Sequence, residues 1–316
     1  MTSAALSSAP APSQRPAAAG TAGSARPAPS ARGSRSTRTT PPSRYGTMSV
    51  TRGSRSTRTT PGFLTSVRVE ILKMHRLRVL LVTALFVIAS VALSSINLFS
   101  QSTIKSFDNP AAKPWAMLLL GTAFFNAMTG AVFAAVLASR QTDIEHSGAG
   151  WNLASTSGLT PGSLCRAKLA ALTVVIVPAV VIQNAVLIVF ARMMGISVPL
   201  DVGPWVTYTI LLIAVDLTMC AFHLWLAAVV ENQLVVVSAG LLGGFTGAFM
   251  LLAPASVARL LPWGYYAVVI PARFVTSGDK TGYEYISPPS AWITGFLILT
   301  TLAFAFATHR LDRIER

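Results

Sequence analysis

Asp216 stands close to the centre of the apolar stretch 205–230, and His223 follows it seven residues later. On a helix that spacing is two turns, which puts both side chains on one face but about 10 Å apart along the axis, too far for direct pairing. A charge at the middle of a membrane span costs roughly 2.5–3.5 kcal/mol on insertion scales, so Asp216 must face protein or water, or carry a proton. Asn126 in the stretch 115–137, with Gln183 and Asn184 in 169–191, offers amides at comparable depth. Together these five residues form a candidate substrate path or proton site. The plainer reading is interhelical hydrogen bonding, worth about 0.6 kcal/mol per bond. Both readings stand for Asp216, and hydrogen bonding is the simpler one for the uncharged amides.

Other chemistry is thinly represented. The sequence has no G-x-x-x-x-G-K-[ST] phosphate loop, no H-E-x-x-H and no G-x-S-x-G, and its four histidines are scattered. Nucleotide hydrolysis through a phosphate loop, zinc proteolysis and serine hydrolysis therefore lack their motifs. The two cysteines, Cys165 and Cys220, suggest neither a disulfide framework nor a metal site. We expect no catalytic residue, no metal and no cofactor bound by this chain.

The elements that must position these residues are membrane spans. A spanning helix needs about 20 apolar residues, and the stretches 79–99, 115–137, 169–191, 205–230, 234–255 and 291–308 meet that requirement, the last being the shortest. Hydrophobic residues make up 52% of the chain and charged residues 11%, against about 25% charged in ordinary soluble domains. The net charge of +14 does not point to nucleic acid, because nine of the 25 basic residues lie in the first 60 positions, which hold no Asp, Glu or Lys. Residues 1–62 read as a disordered Arg/Ser/Thr/Pro/Ala-rich tail, too poor in apolar residues to offset chain entropy. Within it RGSRSTRTTP at 32–41 recurs at 52–61, with Met48 between the copies as a second candidate start.

Residues 63–78 change pattern. Leu64, Val67, Ile71 and Met74 recur at helical spacing while Arg68, Glu70, Lys73 and Arg76 take other faces, the signature of an amphipathic helix lying along a membrane. With the N-terminus inside, 19 of the 25 basic residues fall on the inner side, and the excess survives without the tail. Both termini should be cytoplasmic, with 309–316 a short cytoplasmic tail. Trp115, Trp205 and Trp292 then fall at the outer ends of even-numbered spans, where an indole suits the interface. The sequence predicts an all-α integral membrane protein, with six transmembrane helices over 79–308 and an N-terminal interfacial helix.

Three further segments break the apolar pattern. The inner loop 138–168 is long, carries Asp143, Glu145 and His146 before Gly148 and Gly150, and then offers Trp151 and Leu153 as anchors for a short helix. Its length suits a docking surface better than a plain connector. The outer segment 256–290 contains LLPWGYY and an apolar run ending at Pro271, too short to span. It should dip into the outer leaflet or lie on it, as a lid over an exit path or an interfacial anchor. In the fifth span Gly240, Gly243, Gly244 and Gly247 form overlapping small-xxx-small pairs that permit close helix approach, within one subunit or across a dimer.

Some of these segments also resemble a known family. VEILK at 69–73 resembles the E-x-x-K pattern ahead of the first span in permease subunits of type-2 ABC exporters. Trp151 followed by GLTP at 158–161 and RAK at 166–168 is similar to their loop between the second and third spans, and LPWG at 261–264 to their outer segment between the fifth and sixth. The likeness extends over 63–316 and is nearest to the compact six-span permeases of lantibiotic self-protection. It implies a cell-membrane exporter; an antimicrobial peptide, a drug or a lipid-like molecule would each suit an apolar bundle with a few amides. It also implies a homodimer, or a heterodimer with a related permease, on two separately encoded cytosolic ATPase subunits that hold ATP and Mg. The loop around Asp143, Glu145 and Trp151 and the helix around Glu70 and Lys73 would then receive the push from those subunits. The competing expectation is a proton- or ion-coupled secondary carrier or channel that uses Asp216 and His223.

Overall fold

The computed structural model describes residues 62–148, 150–277 and 280–314. The basic tail, its repeat and Met48 lie outside them. Helix α1 (Phe63–Arg76) meets α2 (Val79–Ser95) at a sharp corner, with Arg78 at φ 54° in the left-handed region that non-glycine residues rarely enter. There follow α3 (Pro114–Ser147), α4 (Gly150–Thr156), α5 (Pro161–Met193), α6 (Val202–Val229) and α7 (Gln233–Met250). A short antiparallel hairpin, β1 (Ala272–Ser277) and β2 (Lys280–Tyr285), precedes α8 (Ser290–Ile314). Among the described residues six helices are long and apolar enough to cross a membrane. The protein is therefore a helical multi-pass membrane protein.

Local chemistry sets the helix starts. Thr160 accepts a hydrogen bond from the Ser163 amide ahead of Pro161, and Asn232 accepts one from the Leu234 amide. Each satisfies an amide that has no partner within its helix. Proline at the first helical position, as at Pro114 and Pro161, gives up a donor that would be unused there.

The bundle is organised around α3, which packs against α2, α6 and α7. Its contact with α7 is built on the four glycines. Gly240 rests on Ala131 and Ala135, Gly244 on the Met128 carbonyl and Gly247 on the Ala127 carbonyl, while Gly243 gives room to the Trp263 ring. These contacts lie inside one chain.

Several expectations change. The loop 138–168 is mostly helix: α3 runs 34 residues, about 51 Å, and so projects well beyond an apolar core of about 30 Å before it ends at Gly148. The extension is stable because Ala138, Gln141, Thr142 and Glu145 form a buried face on it. The fifth span stops at Met250 rather than continuing to 255. On helix α1, Ser66, Glu70 and Met74 face the protein, while Leu64, Ile71 and Leu72 are exposed. Trp115 and Trp205 are buried edge to face rather than standing in an interface, and only Trp292 of the three is exposed. The segment 256–290 carries the β-hairpin, an exception to the all-helical expectation. Before the hairpin, residues 262–268 enter the bundle, so that Tyr265 and Tyr266 are buried.

The glycine contacts give a direct check. We expect Gly244→Ala, which adds a methyl group where the Met128 carbonyl already sits, to cost about 1–3 kcal/mol. Gly295→Ala, where the added carbon meets open space, should be neutral or stabilising by about 0.5–1 kcal/mol. Thermal unfolding in detergent compares the two, and equal effects would mean that α3 and α7 do not pack this closely.

Candidate functional site

Two polar groups occupy the apolar bundle, one at the α1 end and one at mid-depth. At the α1 end Glu70 and Lys73 of α1, Glu145 near the end of α3 and Lys168 in α5 form a closed ring of alternating charge. Lys73 Nζ lies 2.6 Å from Glu70 Oε1 and 2.9 Å from Glu145 Oε1. Lys168 Nζ lies 2.7 Å from Glu70 Oε2 and 3.0 Å from Glu145 Oε2, and donates a further 2.7 Å hydrogen bond to the Gln141 carbonyl. The Lys168 side chain is 0% exposed and both carboxylates are 2% exposed, whereas Lys73 closes the ring from outside at 30%. Two ammonium and two carboxylate groups cancel, so the cluster is neutral as a unit.

The ring depends on helix geometry. Glu70 and Lys73 are three apart on α1 and so are neighbours on its surface. Lys168 lies four residues after Leu164 and four before Leu172, which places it on the buried face of α5. Burial draws the Lys73 pKa down, but hydrogen bonds and attraction from Glu70 and Glu145 outweigh it and hold the value above that of an ordinary lysine. A raised folded value means that this group's stabilisation is complete below the ordinary lysine pKa and is lost only as pH climbs through the higher one. Its contribution should therefore be constant across neutral pH.

Around the ring the helix ends are tied further. Arg140 donates to the Leu77 carbonyl at the corner between α1 and α2, and Asp143 accepts from Gln233 at the start of α7. His146 Nε2 donates to the Ala227 carbonyl of α6, which leaves its Nδ1 to accept from Trp151 Nε1 at 3.3 Å. Arg166 reaches Asp312 and Thr308 of α8. The three loop candidates thus take different positions: Glu145 in the ring, Asp143 bonded to Gln233 of α7, and Trp151 holding α4 to the end of α3. Between α1 and α4 a cleft of about 380 Å³ is lined by Val69, Lys73, Ile144 and Leu153, with Leu153 70% exposed.

At mid-depth the structure brings together only part of the candidate path. Asn126 accepts from Gln183 at 2.8 Å and from Ser90 at 3.2 Å, and donates to Tyr208 at 3.0 Å. Asp216 accepts a 2.7 Å hydrogen bond from Tyr266, delivered by the segment between α7 and β1. Asn126, Gln183 and Asp216 line one cavity of about 20 Å³, room for a single water and not for a transported solute. Asn184 turns aside to Thr209. His223 donates from Nδ1 to the Met219 carbonyl, one turn back on its own helix, and has no contact with Asp216.

Lys168, Tyr208 and Tyr266 join these sites without having stood among the sequence candidates. The position of Lys168 between Leu164 and Leu172 on an apolar helical face is the signal that marks it. The tyrosines have none stronger than their place in apolar runs.

Two outcomes follow. Lys168→Met leaves two buried carboxylates with one partly exposed partner and should cost about 3–5 kcal/mol, while Lys168→Met with Glu145→Gln should recover most of it. Unfolding midpoints in detergent measure both, and equal losses in the single and double variants would refute a coupled ring. Tyr266→Phe removes the hydrogen bond to Asp216 and should cost about 1–3 kcal/mol. In combination with Asp216→Asn, which removes the charge, the loss should shrink.

Comparison with known proteins finds no family model, no curated protein and no solved structure that matches this chain.

Proposed function

We propose that this chain is the membrane-spanning permease subunit of an ATP-driven exporter, powered by a separate cytosolic ATPase. One observation carries the reading: the buried charge ring fixes α1, the projecting end of α3 and the start of α5 to one another. A force applied at that end is passed on to three helices at once, because separating them would leave buried charges unpaired. Beside the ring the exposed Leu153 and the cleft between α1 and α4 offer a partner an apolar hold. The chain has no phosphate-loop motif of its own, so ATP and Mg belong to the partner and no catalysis to this subunit. The termini and the ring lie on the cytoplasmic side of the cell membrane, and the permease pairs with a second copy or a related subunit within the lipid. Its cargo, an antimicrobial peptide, a drug or a lipid-like molecule, crosses when the mid-depth polar group is pulled open. The residues that support this reading are those that carry the resemblance to type-2 ABC exporters, Glu70, Lys73, Trp151 and Lys168 among them.

A second reading has an observation of its own. Asp216 is buried with the Tyr266 hydroxyl as its hydrogen-bond partner, and an intramembrane carboxylate suits proton or ion coupling.

Affinity purification of the tagged chain separates the two. The exporter reading expects a co-purifying ATPase whose activity falls on the order of tenfold in Leu153→Asp and in Trp151→Ala, with insertion unchanged. Leu153 is the sharper probe, since it is exposed and outside the charge ring. A chain that purifies without an ATPase and transports under a pH gradient would replace this reading with the carrier.

A further inference from the structure

A third cavity, of about 970 Å³, opens at the hairpin end of the bundle, far from the charge ring. Its floor is α3 (Met117, Leu120, Phe124) and the end of α7, and its walls are the polar stretch after α2, the segment after α7 and the hairpin. Two arginines line it, and no Asp or Glu does among the described residues. Arg273 is already paired with Glu284 across the hairpin, at 2.8 and 3.1 Å. Arg259 forms no ion pair among the described residues. Its guanidinium carbon lies 5.3 Å over the Trp292 ring, and its Nε is shielded from solvent without a hydrogen-bond partner. A ring face steadies such a cation but cannot neutralise it. The apolar side of the cavity continues to the outer surface of the bundle, where Phe124, Leu252 and Phe274 are exposed.

A fixed cation beside a large apolar trough is complementary to one kind of molecule. We propose that this cavity binds an anionic lipid from the surrounding leaflet, its phosphate held by Arg259 and its hydrocarbon laid against Met117, Leu120 and Phe124. The volume lies in the range of small-molecule sites, and the guanidinium fork suits a phosphate. The site belongs to this chain alone and needs no energy source, so it stands or falls separately from the exporter reading.

Native mass spectrometry of the full chain in detergent tests it, with phosphatidylglycerol or phosphatidylcholine of the same chain length added. The expected result is about tenfold stronger retention of phosphatidylglycerol, matching one charge-assisted contact. Arg259→Gln should bring the two lipids to parity, and Arg259→Lys should keep most of the preference. Ala255→Trp, which fills the cavity from an exposed position, should lower retention of both, and gives an answer even if Arg259→Gln does not fold. Inorganic phosphate should not displace the lipid. Equal retention of both lipids by the unaltered chain would overturn the proposal, as would a preference untouched by Arg259→Gln or Ala255→Trp. Displacement by phosphate alone would reduce the site to an anion site and overturn it equally.

Discussion

The buried ring of Glu70, Lys73, Glu145 and Lys168 is the constraint on which the rest of this structure depends. Three of its charges are withdrawn from water, and they become tolerable only with one another and the partly exposed Lys73 as close partners. That requirement dictates the fold around them. It turns Ser66, Glu70 and Met74 of α1 inward and leaves Leu64 and Leu72 exposed. It also gives α3 a reason to remain helical well beyond its apolar part, since Glu145 must arrive beside α5. The ring is therefore less a source of stability than a registration device: a one-residue slip of any of the three helices would leave buried charges unpaired.

The mid-depth polar group works differently. Asn126, Gln183, Ser90 and Tyr208 satisfy one another, and Asp216 is reached by a tyrosine from the segment between α7 and β1. Gly130 permits this approach, because a side-chain carbon there would stand 2.7 Å from the Tyr266 hydroxyl and 2.9 Å from Asp216 Oδ1. The same segment sets Trp263 against Gly243. The segment between α7 and β1 thus plugs the bundle from the hairpin side, while the charge ring ties it at the other end. A substrate pathway through such a bundle requires the plug and the helices to move apart.

Much of this is legible in the sequence, and what is legible and what is not divide along physical lines. The six spans can be read because apolar runs of about 18 residues or more are rarely sustained by anything but a bilayer. The break at Gly148 and the small helix at Trp151 follow from residues whose backbone and aromatic preferences are strong. The orientation of α1 cannot be read from apolar periodicity, because the deciding partner, Lys168, lies 98 residues away from Glu70. The hairpin does have a local signal: Gly278-Asp279 stands in the sequence between two runs rich in β-branched and aromatic residues. The partner of Asp216 comes from outside the neighbouring spans, and nothing in LLPWGYY states that it enters the bundle.

Hydrogen exchange along α1, measured on the chain in bilayer discs, tests the central claim most directly. If the charge ring holds α1 as part of the bundle, the amides of residues 66–74 should exchange as slowly as those at the start of α5. Rapid exchange through α1 beside a protected α5, the behaviour of a helix merely resting on the membrane, would contradict the account.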